Sequence, residues 1–286
     1  MKQFFKFMFA SMAGYLLVVI IFFLIAMAII ASAVSLTQKE EVSINKGTVL
    51  QLKFDEAVPE RSPAGPIAFS QSSFFSKTTT PGLLETLDLI KKASGDENIS
   101  GILLDLSEVP SGMATMEEIR DELIEFKKSK KFIIAYGETY SQKAYYLATA
   151  ADIICVNPEG SIDFKGLTGG VMFIRGLLEK MDVNAQIIRH GKYKSAIEPL
   201  IGDKMSEANK EQTLAFVSSI WNHISGEISK ARNIDQARLQ VYADSLMSQT
   251  AEDALKYKFA DKIVYRDQLL DLLREKTGKK ETEKVE

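Results

Sequence analysis

The hydrophobic pattern divides the chain in two. From Phe7 to Leu36 no residue carries a charge, a run longer than the roughly twenty residues that a helix needs to cross a bilayer core. It predicts a membrane-spanning helix. Lys2 and Lys6 precede the run, and Lys39, Glu40 and Glu41 follow it. This bias puts the amino terminus in the cytoplasm and the body outside the inner, cytoplasmic membrane, in a single pass. Ala31-Ser32-Ala33 resembles a signal-peptidase site, but the apolar stretch is roughly twice the 7 to 15 residues of a cleaved signal, which favours a retained anchor.

Beyond it, apolar runs alternate with helical spacing. A strand is expected over 47–54, then a loop whose Pro59, Pro63 and Pro66 exclude helix. A helix starts at Thr80-Pro81 with a face of Leu83, Leu84, Leu87, Ile90 and Ala93. Strands at 101–106, 132–136, 152–156 and 185–190 alternate with helices at 116–128, 141–150 and 171–181. A long helix spans 206–231, and 250–276 reads as mostly helical. Such alternation means parallel βαβ units in an α/β fold. The expected division is an anchor with its cytoplasmic terminus (1–40), a folded body (41–278) and a disordered charged tail (279–286). No internal repeat is visible.

Composition narrows the chemistry. The 286 residues, 46% hydrophobic and 26% charged, suit a folded body with a sizeable core. A net charge of -3 leaves no positive field for nucleic acid. One cysteine, Cys155, and two histidines, His190 and His223, give neither an internal disulfide nor zinc-ligand spacing, and no cofactor is expected. Gly191-Lys192 is not a phosphate loop, which would need glycine at Gln186 and a hydroxyl residue at Tyr193. Asp105 and Glu198 fall on different elements. Glu198 reads as a charge partner for a lysine, and His190 as packed or hydrogen-bonded. Trp221, Phe216 and Ile220 read as a buried or subunit-facing stripe, and Tyr145 and Tyr146 as packing against the sheet.

The most informative stretch runs from Arg189 to Pro199 and contains Gly191-Lys192-Tyr193-Lys194-Ser195. Placed in a short connection after a strand, Lys194 can be partly buried. Burial disfavours an ammonium, so such a lysine can serve as a neutral general base toward a hydroxyl. From chemistry alone, a solvated lysine is the simpler reading.

Gly191 to Pro199 resembles the lysine motif of the signal peptide peptidase A family. So do Gly101-Ile102-Leu103-Leu104-Asp105-Leu106, Tyr136 to Gln142, Tyr145-Tyr146-Leu147-Ala148 and Ala151-Asp152. The resemblance covers about 46–275 with the anchor. It implies a ClpP/crotonase-like spiral and a membrane-anchored serine protease, and the arrangement is similar to the first repeat of the long, tandem-repeat members. There the first repeat supplies a catalytic lysine, matched by Lys194, and the second a serine followed by glycines. That second repeat has no counterpart in this sequence.

Short members suggest Ser141 as the nucleophile instead, at the start of a helix. Gln142 and Lys143 stand where the family has glycines, so Ser141 also reads as a relic with an N-cap role. In the loop Ser107 to Gly112, only Gly112 resembles an oxyanion donor. Gly166-Leu167-Thr168-Gly169-Gly170 corresponds to a loop near the substrate groove, which makes Gly169 and Gly170 candidate binding positions.

The implied activity is hydrolysis of peptides left by signal-sequence cleavage, with Lys194 as general base in a homo-oligomer. The alternative is a catalytically silent scaffold needing a nucleophile from a second repeat or a partner. A crotonase-like acyl-CoA enzyme is the third reading, disfavoured by the anchor.

Overall fold

The computed structural model describes residues 2–37, 44–62 and 81–279. Two compact units result, Met1–Ile44 and Asn45–Glu286. Pro63, Pro66 and Thr80, and the tail beyond Lys279, lie outside the described residues.

The first unit is helix α1, Lys2–Thr37. Over Gln3–Ala28 its mean hydropathy is 2.6, long and apolar enough to cross a membrane. Along 7–28 its side chains are apolar on all sides and almost all exposed, as suits lipid rather than a half-wet surface.

The second unit is built on a five-stranded sheet, all parallel, with its strands in chain order. They are β1 (Thr48–Lys53), β2 (Ile99–Asp105), β3 (Phe132–Gly137), β4 (Ile153–Val156) and β5 (Lys262–Ile263). Ile102, Leu103 and Leu104 of β2 and Ile133, Ile134 and Ala135 of β3 are all buried. Both faces of these strands are covered, which is why they read as unbroken apolar runs instead of alternating ones.

One face carries α2 (Leu83–Gly95), α3 (Met113–Phe126), α4 (Gln142–Ala148), α7 (Glu207–Arg232), α8 (Gln236–Asp244) and α9 (Ala251–Lys256). On the other face lies α10 (Arg266–Thr277), whose Leu269 and Leu273 pack with Val49, Leu103, Ile134, Tyr136 and Cys155. Each of those leucines stabilises by about 2 kcal/mol through burial. The short helices α5 (Arg175–Lys180) and α6 (Glu198–Ile201) fall between β4 and α7.

Arg120 of α3 is almost wholly removed from water. Its Nη1 lies 3.2 Å from Glu227 Oε2, and its Nε donates to Thr149 Oγ1 at 3.4 Å. The guanidinium sits 4.8 Å from the centre of the Tyr146 ring. This single side chain ties α3, α4 and α7 together. Tyr145 and Tyr146 pack in the core as expected.

Two expectations need correction. Residues 185–190 form no strand, and Ile188 is fully exposed. The edge of β4 is taken instead by β5, through Cys155 opposite Lys262 and Val156 opposite Ile263. Second, Leu84 lies off the buried face of α2, which consists of Leu83, Thr86, Ile90 and Ala93. The expected stripe on α7 divides between its two readings: Trp221 and Ile220 pack against the core, the Trp221 ring tilted against Phe164 with centroids 5.5 Å apart, while Phe216 is exposed.

Candidate active site

The start of α4 is built by short-range pairing. Tyr140 is buried and its hydroxyl donates to Cys155 O at 2.8 Å. Ser141 N donates to Ser107 O at 3.0 Å, which fixes the 107–112 loop beside the helix. The backbone of Ser141 is extended, and its Oγ accepts from Ala144 N at 3.3 Å. This is N-cap geometry, which satisfies an amide the helix leaves unpaired.

The two residues after Ser141 are both engaged. Gln142 Oε1 accepts from Lys165 N at 3.1 Å and Gly166 N at 3.0 Å, and its Nε2 donates to Gly166 O at 3.1 Å. Lys143 Nζ donates to Ser111 O at 3.0 Å. Ser111 is buried, with its Oγ accepting from Val58 N at 2.8 Å. Gly112 takes the N-cap position of α3 with ordinary extended backbone, and a side chain there would meet open space. The structure therefore brings Ser141, Lys143, the 107–112 loop and Gly166 together.

Lys194 lies on a different loop, between α5 and α6. Its loop turns at Gly191, whose φ of +111° favours glycine. Lys194 is exposed, which agrees with the simpler reading of a solvated lysine and not with partial burial. The physical reason is the same as for 185–190: the segment leading to it does not pack on the sheet. With Arg189, His190, Tyr193 and Ser195 it lines a cavity of about 520 Å³.

The neighbouring Lys192 lies 3.3 Å from the Tyr193 hydroxyl and 3.5 Å from Glu211. The Tyr193 hydroxyl, then Glu211, push Lys192 above its ordinary value and hold it charged. Among the described residues, no hydrogen bond or ion pair engages Lys194 in this way. His190 is exposed, not packed. No hydrogen bond joins Lys194 to Ser141 among the described residues.

Glu198 is buried at the foot of α7, where it accepts from Ser206 Oγ (2.5 Å), Ser206 N (3.1 Å) and Asn209 Nδ2 (2.9 Å). Its partners are therefore a hydroxyl and amides rather than the expected lysine. The Ser206 hydroxyl, then the backbone and amide donors, hold its carboxyl below the usual glutamate value. Gly169 faces Thr213 and, with Leu214 and Val217, lines a second cavity of about 610 Å³, whereas Gly170 meets open space.

One cluster escaped the sequence reading. Asp105, at the end of β2, accepts from Arg266 Nη2 at 2.7 Å and Gln51 Nε2 at 2.6 Å, with Lys53 Nζ at 3.4 Å. Burial pushes this carboxyl up, but the Arg266 bond and the two cations outweigh it and leave it lowered. The apolar run ending in an acid was the available signal; nothing local pointed to Arg266. Asp105 and Glu198 have separate partners, as their places on different elements implied. Among the described residues no group of His, Cys, Asp or Glu is placed to hold a metal ion.

The sequence model of Peptidase family S49 matches residues 125–280, from the end of α3 through α10, a segment containing both Ser141 and Lys194. The chain belongs to this peptidase family. The parallel sheet with helices on both faces is the ClpP/crotonase-like arrangement expected of it. The chain is 34% identical over 209 residues to "Protease 4" of Salmonella typhi, covering 70% of this chain and 34% of that protein. It is 28% identical over 245 residues to "Serine protease SPPA, chloroplastic" of Arabidopsis thaliana, covering 85% and 34% respectively. The likeness is thus of the SppA type, and the chain spans about a third of the length of these relatives.

Proposed function

We propose that this chain is the lysine-bearing part of a membrane-anchored Ser–Lys peptidase that degrades extended apolar peptides such as signal-peptide remnants. The observation that carries the reading is the contrast within one loop: Lys192 is tied to Tyr193 and Glu211, while Lys194 faces the 520 Å³ cavity with no partner among the described residues. An amine left unbonded is the one available to accept a proton.

In the proposed step, the neutral Lys194 amine takes the proton of a serine hydroxyl as its oxygen attacks the scissile carbonyl. The charge developing on the carbonyl oxygen goes to backbone N–H donors. Lys194 then passes the proton to the departing amine, and water repeats the sequence to free the acyl group. A neutral lysine needs a dry site, and in this single chain Lys194 is wet. The drying surface is assigned to a second copy or to the unit that brings the serine. Exposed Met172, Met181, Val183 and Ile188 in the same stretch support such a contact.

Ser141 is assigned as a helix cap rather than the nucleophile. Its hydroxyl already accepts from Ala144 N, and Gln142 fills the place where an acyl group needs a bare backbone. Gly112 and the 165–170 loop are kept as peptide-facing backbone. The α1 helix is assigned as the anchor, with the amino terminus cytoplasmic by its flanking charges. The second reading, a silent scaffold, draws on the same occupied surroundings of Ser141.

A fluorophosphonate probe, applied to the protein purified from its native membranes with its co-purifying chains, separates the two. Labelling that disappears in Lys194→Ala supports the peptidase. No labelling, or labelling indifferent to Lys194, supports the scaffold.

A further inference from the structure

The cavity of about 520 Å³ that Lys194 faces is lined by charges of one sign. Arg189, His190 and Lys194 line it, and among the described residues no aspartate or glutamate does. The two acids on the neighbouring elements are already engaged. Glu211 lies 3.5 Å from Lys192 and accepts from the Tyr193 hydroxyl at 3.2 Å. Glu198 is buried and accepts from Ser206 and Asn209. Arg189 acts on that carboxyl only through space, and least of its neighbours.

Arg175 shows the other outcome for a guanidinium in this part of the chain, with Glu179 at 2.8 Å and Asp203 at 3.3 Å. Arg189 is exposed and takes part in no hydrogen bond or ion pair among the described residues. Its planar fork of N–H donors is therefore open to a carboxylate, the partner it matches best. The rest of the wall is neutral: Ala196 and Ile197 offer hydrocarbon, and Gln212 an amide. Such a lining suits an anion carried on an apolar body.

We infer that Arg189 binds the terminal carboxylate of an apolar peptide in this cavity, so that the site reads a free carboxyl end and rejects the same residues inside a longer chain. The inference deepens the proposed reading of peptide remnants as substrate, and rests on it. On an apolar peptide the terminal carboxylate is the anionic group available. Hydrolysis leaves that group on a released piece, whereas in the uncut chain the same carbon belongs to a neutral amide. A guanidinium thus separates cut from uncut by charge. Arg189 is assigned the ionic bond because it stays charged at any physiological pH. The Lys194 amine proposed as base is neutral when it acts and then attracts no anion. The last side chain of the peptide lies against Ala196 and Ile197.

Fluorescence anisotropy of the full chain in detergent tests this with two dye-labelled peptides of alternating Leu and Ala. They are identical except that one ends in a carboxylate and the other in a carboxamide. The acid binds about tenfold tighter than the amide, the scale of a charge-assisted bond. Arg189→Gln brings the acid down to the affinity of the amide and leaves the amide within about twofold of its parent value. Gln212→Glu, which adds a carboxylate to the wall, removes the preference while Arg189 is intact. Equal binding of acid and amide by the parent, or a preference that survives Arg189→Gln, overturns the inference. So does displacement of the acid peptide by glycerol phosphate, which carries the charge of a lipid headgroup, at a lower concentration than by N-acetyl-leucine. The measurement needs no turnover. An acid preference lost with Arg189 upholds the inference whether or not hydrolysis depends on Lys194. Hydrolysis that depends on Lys194, without any acid preference, removes this inference alone.

Discussion

The start of α4 and the 191–199 loop carry the same kinds of groups, a serine hydroxyl and lysine amines, in opposite surroundings. Around Ser141 the chain satisfies itself: the hydroxyl caps a helix, Gln142 ties the turn at Lys165 and Gly166, and Lys143 holds a loop carbonyl. Around Lys194 the surface is wet, turns on a left-handed glycine, and leaves the amine facing an open cavity. A polar group with all its partners supplied internally contributes to folding, whereas one left over is available for a substrate or another chain. The reactive half of the molecule is thus sought where the fold is least finished.

The largest effect that sharpens this contrast is expected at Lys194. Lys194→Ala lowers peptide turnover in the assembled protein by about a thousandfold, the scale of a lost general base. Its melting temperature stays unchanged, because the side chain is exposed and takes part in no hydrogen bond or ion pair among the described residues. A drop in melting temperature that accounts for the lost turnover would break the contrast.

Ser141→Ala has the reverse signature. It costs about 1 kcal/mol in urea unfolding through loss of the cap and leaves turnover intact. Abolished turnover at unchanged fold would make Ser141 the nucleophile after all.

The smallest effect concerns Glu198, which buttresses the Lys194 loop at α7. Its folded-state pKa lies below the unfolded value of about 4.3. Its contribution is therefore complete above that value and fades as pH falls through the lower folded one. Thermal melts of Glu198→Gln at neutral pH and near pH 3 are expected to differ less than those of the parent. An equal pH dependence would show that the carboxylate adds nothing at this junction.

The strands β1 to β4 were readable because each is an apolar run between turn residues, and the start of α7 because Ser206 is a strong cap. Two features defeated the same reading. Residues 185–190 have a strand's composition, yet pairing depends on a neighbour, and β5 holds the edge they would need. That strand has only two residues and no periodicity to detect. At the site, the lysine motif was visible as a local string. Gln142 was visible as a departure from glycine, but its partners lie in another segment, and no local pattern encodes which carbonyl a side chain will reach. Arg266 on Asp105 is a still longer connection of that kind.

The position of β5 also governs when the body can finish folding. Synthesis runs from the amino terminus, and roughly a hundred residues separate β4 from the strand that closes its edge, about ten seconds of elongation. Through that interval β4 keeps an open flank, and the apolar side later roofed by Leu269 and Leu273 remains bare. Under the anchoring proposed for α1, a nascent chain would spend that time tethered at a bilayer, away from other unfinished copies free to diffuse, at the stage when sticking together is most damaging.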